Sequence, residues 1–209
     1  MKKQDKVNRI IELLERRYPE TVCGLDWQGD PYKLLIMAIL SAQCTDARVN
    51  IVSKTLFERF PNAESMANAT LEEIENEIRS VGLYRSKAKA LKECCARLTE
   101  EYNGVLPREM KDLLTLRGVG RKVANLLRGD VYNLGGIVAD THCIRISGRL
   151  GLADGKDPLK TERALEKLIP TEKQSEYCHR MVLFGREVCI ARSPKCDECE
   201  LKEYCEYNK

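Results

Sequence analysis

Long apolar runs are missing from this sequence. The longest, Leu34 to Leu40, has seven residues, whereas a helix needs about twenty to cross a bilayer, so no membrane association is expected. The N-terminus lacks the unbroken apolar core of a signal peptide: Met1 to Tyr18 mixes charge with Val7, Ile10, Ile11, Leu13 and Leu14, the pattern of an amphipathic helix. A cytoplasmic location follows as the expectation. Period-two alternation bounded by turn residues is nearly absent, and Ile137 to Ala139 is too short to found a sheet. Bulk charge is also lacking, because 35 Lys and Arg against 32 Asp and Glu leave only +3, so any nucleic-acid surface must come from local clustering. With three Phe and one Trp, the chain offers few stacking platforms for single strands.

What remains is helical. Apolar residues recur at helical spacing in Tyr32, Leu35, Ile36, Ile39 and Leu40, and again in Leu165, Leu168 and Ile169. Turn signals from Pro31 to Pro170 divide the chain into roughly ten short helices, so the expected fold class is all-α. With 209 residues, 43% of them hydrophobic, the chain can bury one good core or two small domains without disulfides or partners, and a monomer is expected. Val81-Gly82 and Val119-Gly120 each lead into a helix with basic residues near its start, a weak internal echo.

Residues 110–127 read as a helix (Lys111, Asp112, Leu113, Leu114), a tight turn at Gly118-Val119-Gly120, and a second helix from about Arg121. Two glycines around one apolar residue let the backbone approach a phosphate, and the amides that open the next helix donate to it. Such a grip does not depend on base sequence; equally, Gly-x-Gly between helices is often only a tight connection. On a helical wheel Val119, Val123, Leu126 and Leu127 form one apolar stripe, with Arg121 and Arg128 opposite and Lys122 at the stripe's edge. Partial desolvation and the helix dipole would there favour the neutral amine, a nucleophile for a sugar carbon; the alternative is a simple phosphate contact. Eighteen residues on, Asp140 in Ala139-Asp140-Thr141-His142 opens another helix. It fits an N-cap, and it fits a carboxylate that orients the nucleophile and stabilises positive charge on the sugar.

Of ten cysteines, Cys23, Cys44, Cys94, Cys95, Cys143 and Cys178 are scattered, and no chemistry is assigned to them. Cys189, Cys196, Cys199 and Cys205, spaced by six, two and five residues, point instead to a metal. Only Cys196 and Cys199 form the short pair usual for zinc; an iron-sulfur cluster held by four thiolates is the other reading. Between the first two ligands, Arg192 and Lys195 are positioned to meet DNA phosphates, with the cluster shaping the loop rather than turning over electrons.

Taken together, Leu40-Ser41-Ala42-Gln43-Cys44-Thr45-Asp46, Gly82-Leu83-Tyr84-Arg85-Ser86-Lys87, Gly118-Val119-Gly120-Arg121-Lys122, Asp140-Thr141-His142 and the four cysteines resemble the endonuclease III family of DNA glycosylases with lyase activity. The resemblance runs through essentially the whole chain. It implies a Schiff-base nucleophile at Lys122, an essential carboxylate at Asp140, a [4Fe-4S] cluster on the four cysteines, and Gln43 and Leu83 entering the DNA stack as the damaged nucleotide turns out. It also implies a six-helix domain at 24–134 and a cluster domain at 1–23 plus 135–209. The implied activity is excision of oxidised pyrimidines from duplex DNA and β-elimination at abasic sites, in the cytoplasm at the nucleoid. Arg117 stands where the family often has Pro, and Val123 where Thr is common, which bears on lesion preference and grip. An adenine-mismatch glycosylase lacks the lysine and carries an additional C-terminal domain; a non-catalytic DNA-binding module leaves Lys122 and Asp140 unexplained.

Overall fold

A computed structural model describes residues 2–21 and 23–207. Among them there are helices and no strands, as the missing alternation led us to expect. The chain divides into two compact units, residues 23–132 and residues 1–22 with 133–209.

The unit at 23–132 contains seven α-helices among its described residues: α2 Pro31–Leu40, α3 Asp46–Arg59, α4 Ala63–Asn68, α5 Leu71–Glu77, α6 Tyr84–Tyr102, α7 Met110–Leu113 and α8 Arg121–Tyr132. The resemblance had implied six helices for this region; the four-residue α7 is short enough to be absorbed into the turn that follows. At the centre lies α2. Leu34 to Leu40 are all buried, so this helix is apolar around its whole circumference and is enclosed by α3, α6 and α8. Its start is fixed by Pro31 at the first helical position and by the Asp30 carboxylate, which accepts from the amides of Tyr32 and Lys33. Capping boxes start the short helices α4, at Asn62 and Ser65, and α5, at Thr70 and Glu73. These two helices then pack on α6.

In the other unit, α1 Lys3–Arg17 and α9 Thr141–Arg149 pack on α11 Gln174–Glu187, and α10 Pro158–Glu166 packs on α9. The apolar face predicted for the N-terminus, Val7, Ile10, Ile11, Leu13 and Leu14, is buried with Ile146, Leu165, Tyr177, Met181 and Phe184. Three single-turn 3-10 helices complete the described elements; two of them, Cys196–Glu198 and Lys202–Tyr204, lie in the cysteine loop. Among the described residues no disulfide joins the cysteines, and Cys94, Cys95, Cys143 and Cys178 are buried. No helix among the described residues is long and apolar enough to cross a membrane.

Candidate functional site

The Gly118-Val119-Gly120 turn is built against α2 and α6. Gly118 has φ +85°, and a Cβ there would stand 3.1 Å from Ile39 Cγ2 and 3.4 Å from the Ala90 Cβ, so glycine is required both by conformation and by space. Val119 is buried and its amide donates to the Leu116 carbonyl at 3.1 Å. Beyond it, Gly120 faces open space, and its carbonyl accepts the Ala124 amide at 2.9 Å to begin α8. The turn is thereby held rigid from below while the opening of the helix is left uncovered. The first amides of α8 have no carbonyl of their own helix to bond, which is the arrangement that receives an anion.

The face that α8 buries differs from the wheel. Ala124 and Leu127 are buried, whereas Val123 and Leu126 are half-buried and Arg128 is drawn partly inward. With Ala124 and Leu127 at its centre, the buried face is turned by roughly a quarter of a revolution from the apolar stripe. Correspondingly, Lys122 is not at the edge of a buried stripe. It is exposed, beside exposed Arg121, and the partial desolvation expected for it is absent in the free protein.

Two further turns in this unit carry residues in the left-handed region. Gln43, between α2 and α3, has φ +54°, and Leu83, at the N-cap of α6, has φ +61°. Neither residue is a glycine, and such a conformation costs about 1–2 kcal/mol per residue. Both side chains are exposed, Leu83 by 59%. The turns are neighbours: a Cβ on Gly82 would lie 3.7 Å from the Gln43 carbonyl oxygen. Between them sits Lys87, only 5% exposed, whose Nζ donates to the carbonyls of Leu40 at 2.9 Å and Ala42 at 2.6 Å. Burial holds this ammonium below the usual lysine range, yet both acceptors are carbonyls at or just past the end of α2, where a cation is favoured. Sequence reading counted Lys87 only as a basic residue near a helix start. Its spacing to Ala88, Leu91, Cys94 and Cys95 on the buried face of α6 was the available signal.

In the other unit, Asp140 caps α9, and its Oδ1 accepts the Cys143 amide at 2.7 Å. The side chain is partly exposed, so the cap role leaves room for a second one. Two residues on, burial pushes the His142 imidazole below its ordinary range, opposed by the Asp140 carboxylate, and Arg145 Nη2 lies 3.2 Å from Nδ1.

The four C-terminal cysteines come together. Cys189, Cys196, Cys199 and Cys205 line one small cavity with Val188, Pro194 and Tyr207. Arg149 secures its rim, donating to the Cys189 sulfur at 3.2 Å and to the carbonyls of Ile190 and Ala191 at 3.0 and 2.8 Å. Burial, reinforced by the other three sulfurs, pushes the Cys199 thiol up; four thiolates gathered here require a positively charged core. Four sulfurs spread around a cavity suit a polynuclear iron-sulfur cluster better than one tetrahedral zinc. Arg192 and Lys195 are exposed on the same loop.

A glycine turn that joins two helices and opens the second on exposed cations is a helix-hairpin-helix arrangement. Residues 36–171 match the model of the HhH-GPD superfamily base excision DNA repair protein, and residues 189–205 match the iron-sulfur binding domain of endonuclease III. The chain is 43% identical over 204 residues to endonuclease III of Synechocystis sp., covering 97% of this chain and 93% of that one. It is 41% identical over 201 residues to endonuclease III of Bacillus subtilis, covering 96% and 91%. A solved endonuclease III–DNA complex, a trapped covalent intermediate, superposes with TM-score 0.92 at 41% identity, over 99% of this chain and 97% of that chain. The chain therefore belongs to the endonuclease III family. It is a base excision repair enzyme, a DNA glycosylase with abasic-site lyase activity and a [4Fe-4S] cofactor.

Two outcomes follow from these geometries. Asp140→Ala removes the acceptor for the Cys143 amide and is expected to cost about 1 kcal/mol, read as a lower urea midpoint, while Asp140→Asn keeps the cap to within a few tenths. Cys199→Ser is expected to abolish the broad visible absorption of the iron-sulfur protein; a variant that keeps full absorbance would remove Cys199 from the ligand set.

Proposed function

We propose that Lys122 is the nucleophile and Asp140 its carboxylate partner in excising oxidised pyrimidines from duplex DNA. The observation that carries this reading is the exposed position of Lys122 in the first turn of α8, directly beyond the rigid Gly118-Val119-Gly120 turn. A phosphate held where α8 opens, beyond Gly120, brings the adjacent sugar to the lysine.

Lys122 is exposed in the free protein, and bound DNA would exclude water from around it. The Nζ lone pair attacks C1′, and the glycosidic bond breaks with its electron pair leaving on the base. Asp140 accepts the proton released from the amine and opposes positive charge on the sugar. The proton held by Asp140 then passes to O4′ as the C1′–O4′ ring bond breaks, leaving an iminium at C1′ that acidifies the C2′ hydrogen. Its loss forms the C1′–C2′ enamine and expels the 3′ phosphate, cutting the strand, and water then frees Lys122.

Gln43 and Leu83, exposed on adjacent strained turns, enter the stack and offset the few kcal/mol lost when the damaged nucleotide turns out. Arg192 and Lys195 contact phosphates from the cysteine loop. Cys189, Cys196, Cys199 and Cys205 are the cluster ligands; when bound, the cluster supplies four iron–thiolate bonds that cross-link residues 189–205. Arg117, exposed and 3.7 Å from Glu93, takes the place of a family proline and weakens the grip through that ion pair. Residues 24–134 would serve the hairpin and wedges, and residues 1–23 with 135–209 the carboxylate and cluster. Ten cysteines, four of them gathered in one loop for a metal, suit a reducing cytoplasm, where the protein would work at the nucleoid as a monomer. The full-length likeness to endonuclease III, with Lys122 in place, disfavours an adenine-mismatch glycosylase.

Borohydride should reduce the imine and trap the protein on duplex DNA carrying an oxidised pyrimidine or an abasic site. Lys122→Ala should abolish the trapped band and slow strand cleavage by roughly 10³-fold or more; trapping that survives the substitution contradicts the mechanism.

A further inference from the structure

Lysine is almost never fully buried without a partner, and Lys87 is buried in a way that joins the two strained turns. Its backbone amide donates to the Leu83 carbonyl at 3.0 Å, and its ammonium binds the carbonyls of Leu40 and Ala42, the latter immediately before Gln43. Its side chain therefore holds the 41–44 turn, while its main chain makes the ordinary first helical bond to Leu83 at the N-cap of α6, so the side chain ties one turn to the helix that carries the other. Neither turn has a glycine at its left-handed position, so each needs an external restraint to stay there.

We propose that Lys87 is a positioning residue that locks Gln43 and Leu83 at a fixed separation, so that both enter the DNA stack together as the nucleotide turns out. The inference rests on the wedge role assigned to those two residues. Its function is distinct from fold support, and the same helix supplies the comparison. Lys92, partly buried, uses the same chemistry, donating to the carbonyls of Ala67 and Ala69 beyond α4, where there is no exposed left-handed residue. If buried ammonium-to-carbonyl contacts served only to tie helices to α6, the two lysines would be equivalent.

The test uses the full-length holoenzyme and duplex DNA with 2-aminopurine next to the lesion, whose fluorescence rises when the stack opens. Lys87→Met is expected to reduce that rise and to slow single-turnover base removal by about 10- to 100-fold. Its rate on a single-stranded abasic substrate, which has no stack to open, should fall several times less. Lys92→Met should lower the melting temperature comparably while keeping the fluorescence rise within about twofold. Lys87→Arg, which retains donors to the same carbonyls, should recover part of the opening signal, and it carries the test if Lys87→Met does not fold. A folded Lys87 variant with a full opening signal, or equal losses for Lys87→Met and Lys92→Met, overturns the proposal. Gln43→Ala and Leu83→Ala are measured beside them. If both keep the full signal, the wedge reading itself fails; if they lose it while Lys87→Met does not, only the role of Lys87 fails.

Discussion

Burial of α2 is the constraint on which the hairpin unit depends. Seven consecutive apolar side chains, Leu34 to Leu40, leave this helix no polar face, so it is stable only when other helices enclose it. At roughly 1.5–3 kcal/mol for each large side chain buried, this one helix outweighs any single polar contact nearby. Features of the proposed DNA surface are referred back to it. Ile39 is the surface on which Gly118 lies, and the carbonyls at the end of α2 are where Lys87 fastens the Gln43 turn.

Polar groups are then used sparingly and at helix ends. Asp140 caps α9 through one oxygen and keeps a partly exposed carboxyl, so an ordinary structural device also holds the carboxylate proposed for catalysis in a fixed orientation. Arg149 does something comparable for the cysteine loop, since its guanidinium reaches a ligand sulfur and two carbonyls at once. The proposed carboxylate and the cysteine loop are thus held by contacts that also satisfy a helix end and loop carbonyls, a form of preorganisation needing no specialised scaffold.

Much of this was legible in the sequence, and for identifiable reasons. Period 3.6 without period 2 is a strong signal over long stretches, so the all-helical fold and the start of α8 at Arg121 could be read directly. Four cysteines within seventeen residues converge because the loop that carries them is short. The exposure of Lys122 was misjudged because the wheel weighted the large apolar side chains of Val123 and Leu126, which are only half-buried, over Ala124, whose small side chain marks the buried face. Lys87 was overlooked for a different reason: a lysine on an apolar face reads as an interruption until the carbonyls that receive it are seen. The left-handed conformations of Gln43 and Leu83 had no local signature, because tertiary contacts rather than residue type hold them.

The central claim is that a single side-chain amine, that of Lys122, forms the bond to the sugar. The direct measurement is mass-spectrometric mapping of the peptide that carries the sugar after borohydride reduction of the enzyme–DNA complex. The account predicts the adduct mass on Lys122 alone, with trypsin failing to cut after it. An adduct on the N-terminal amine, on Lys87 or on any other lysine would contradict it.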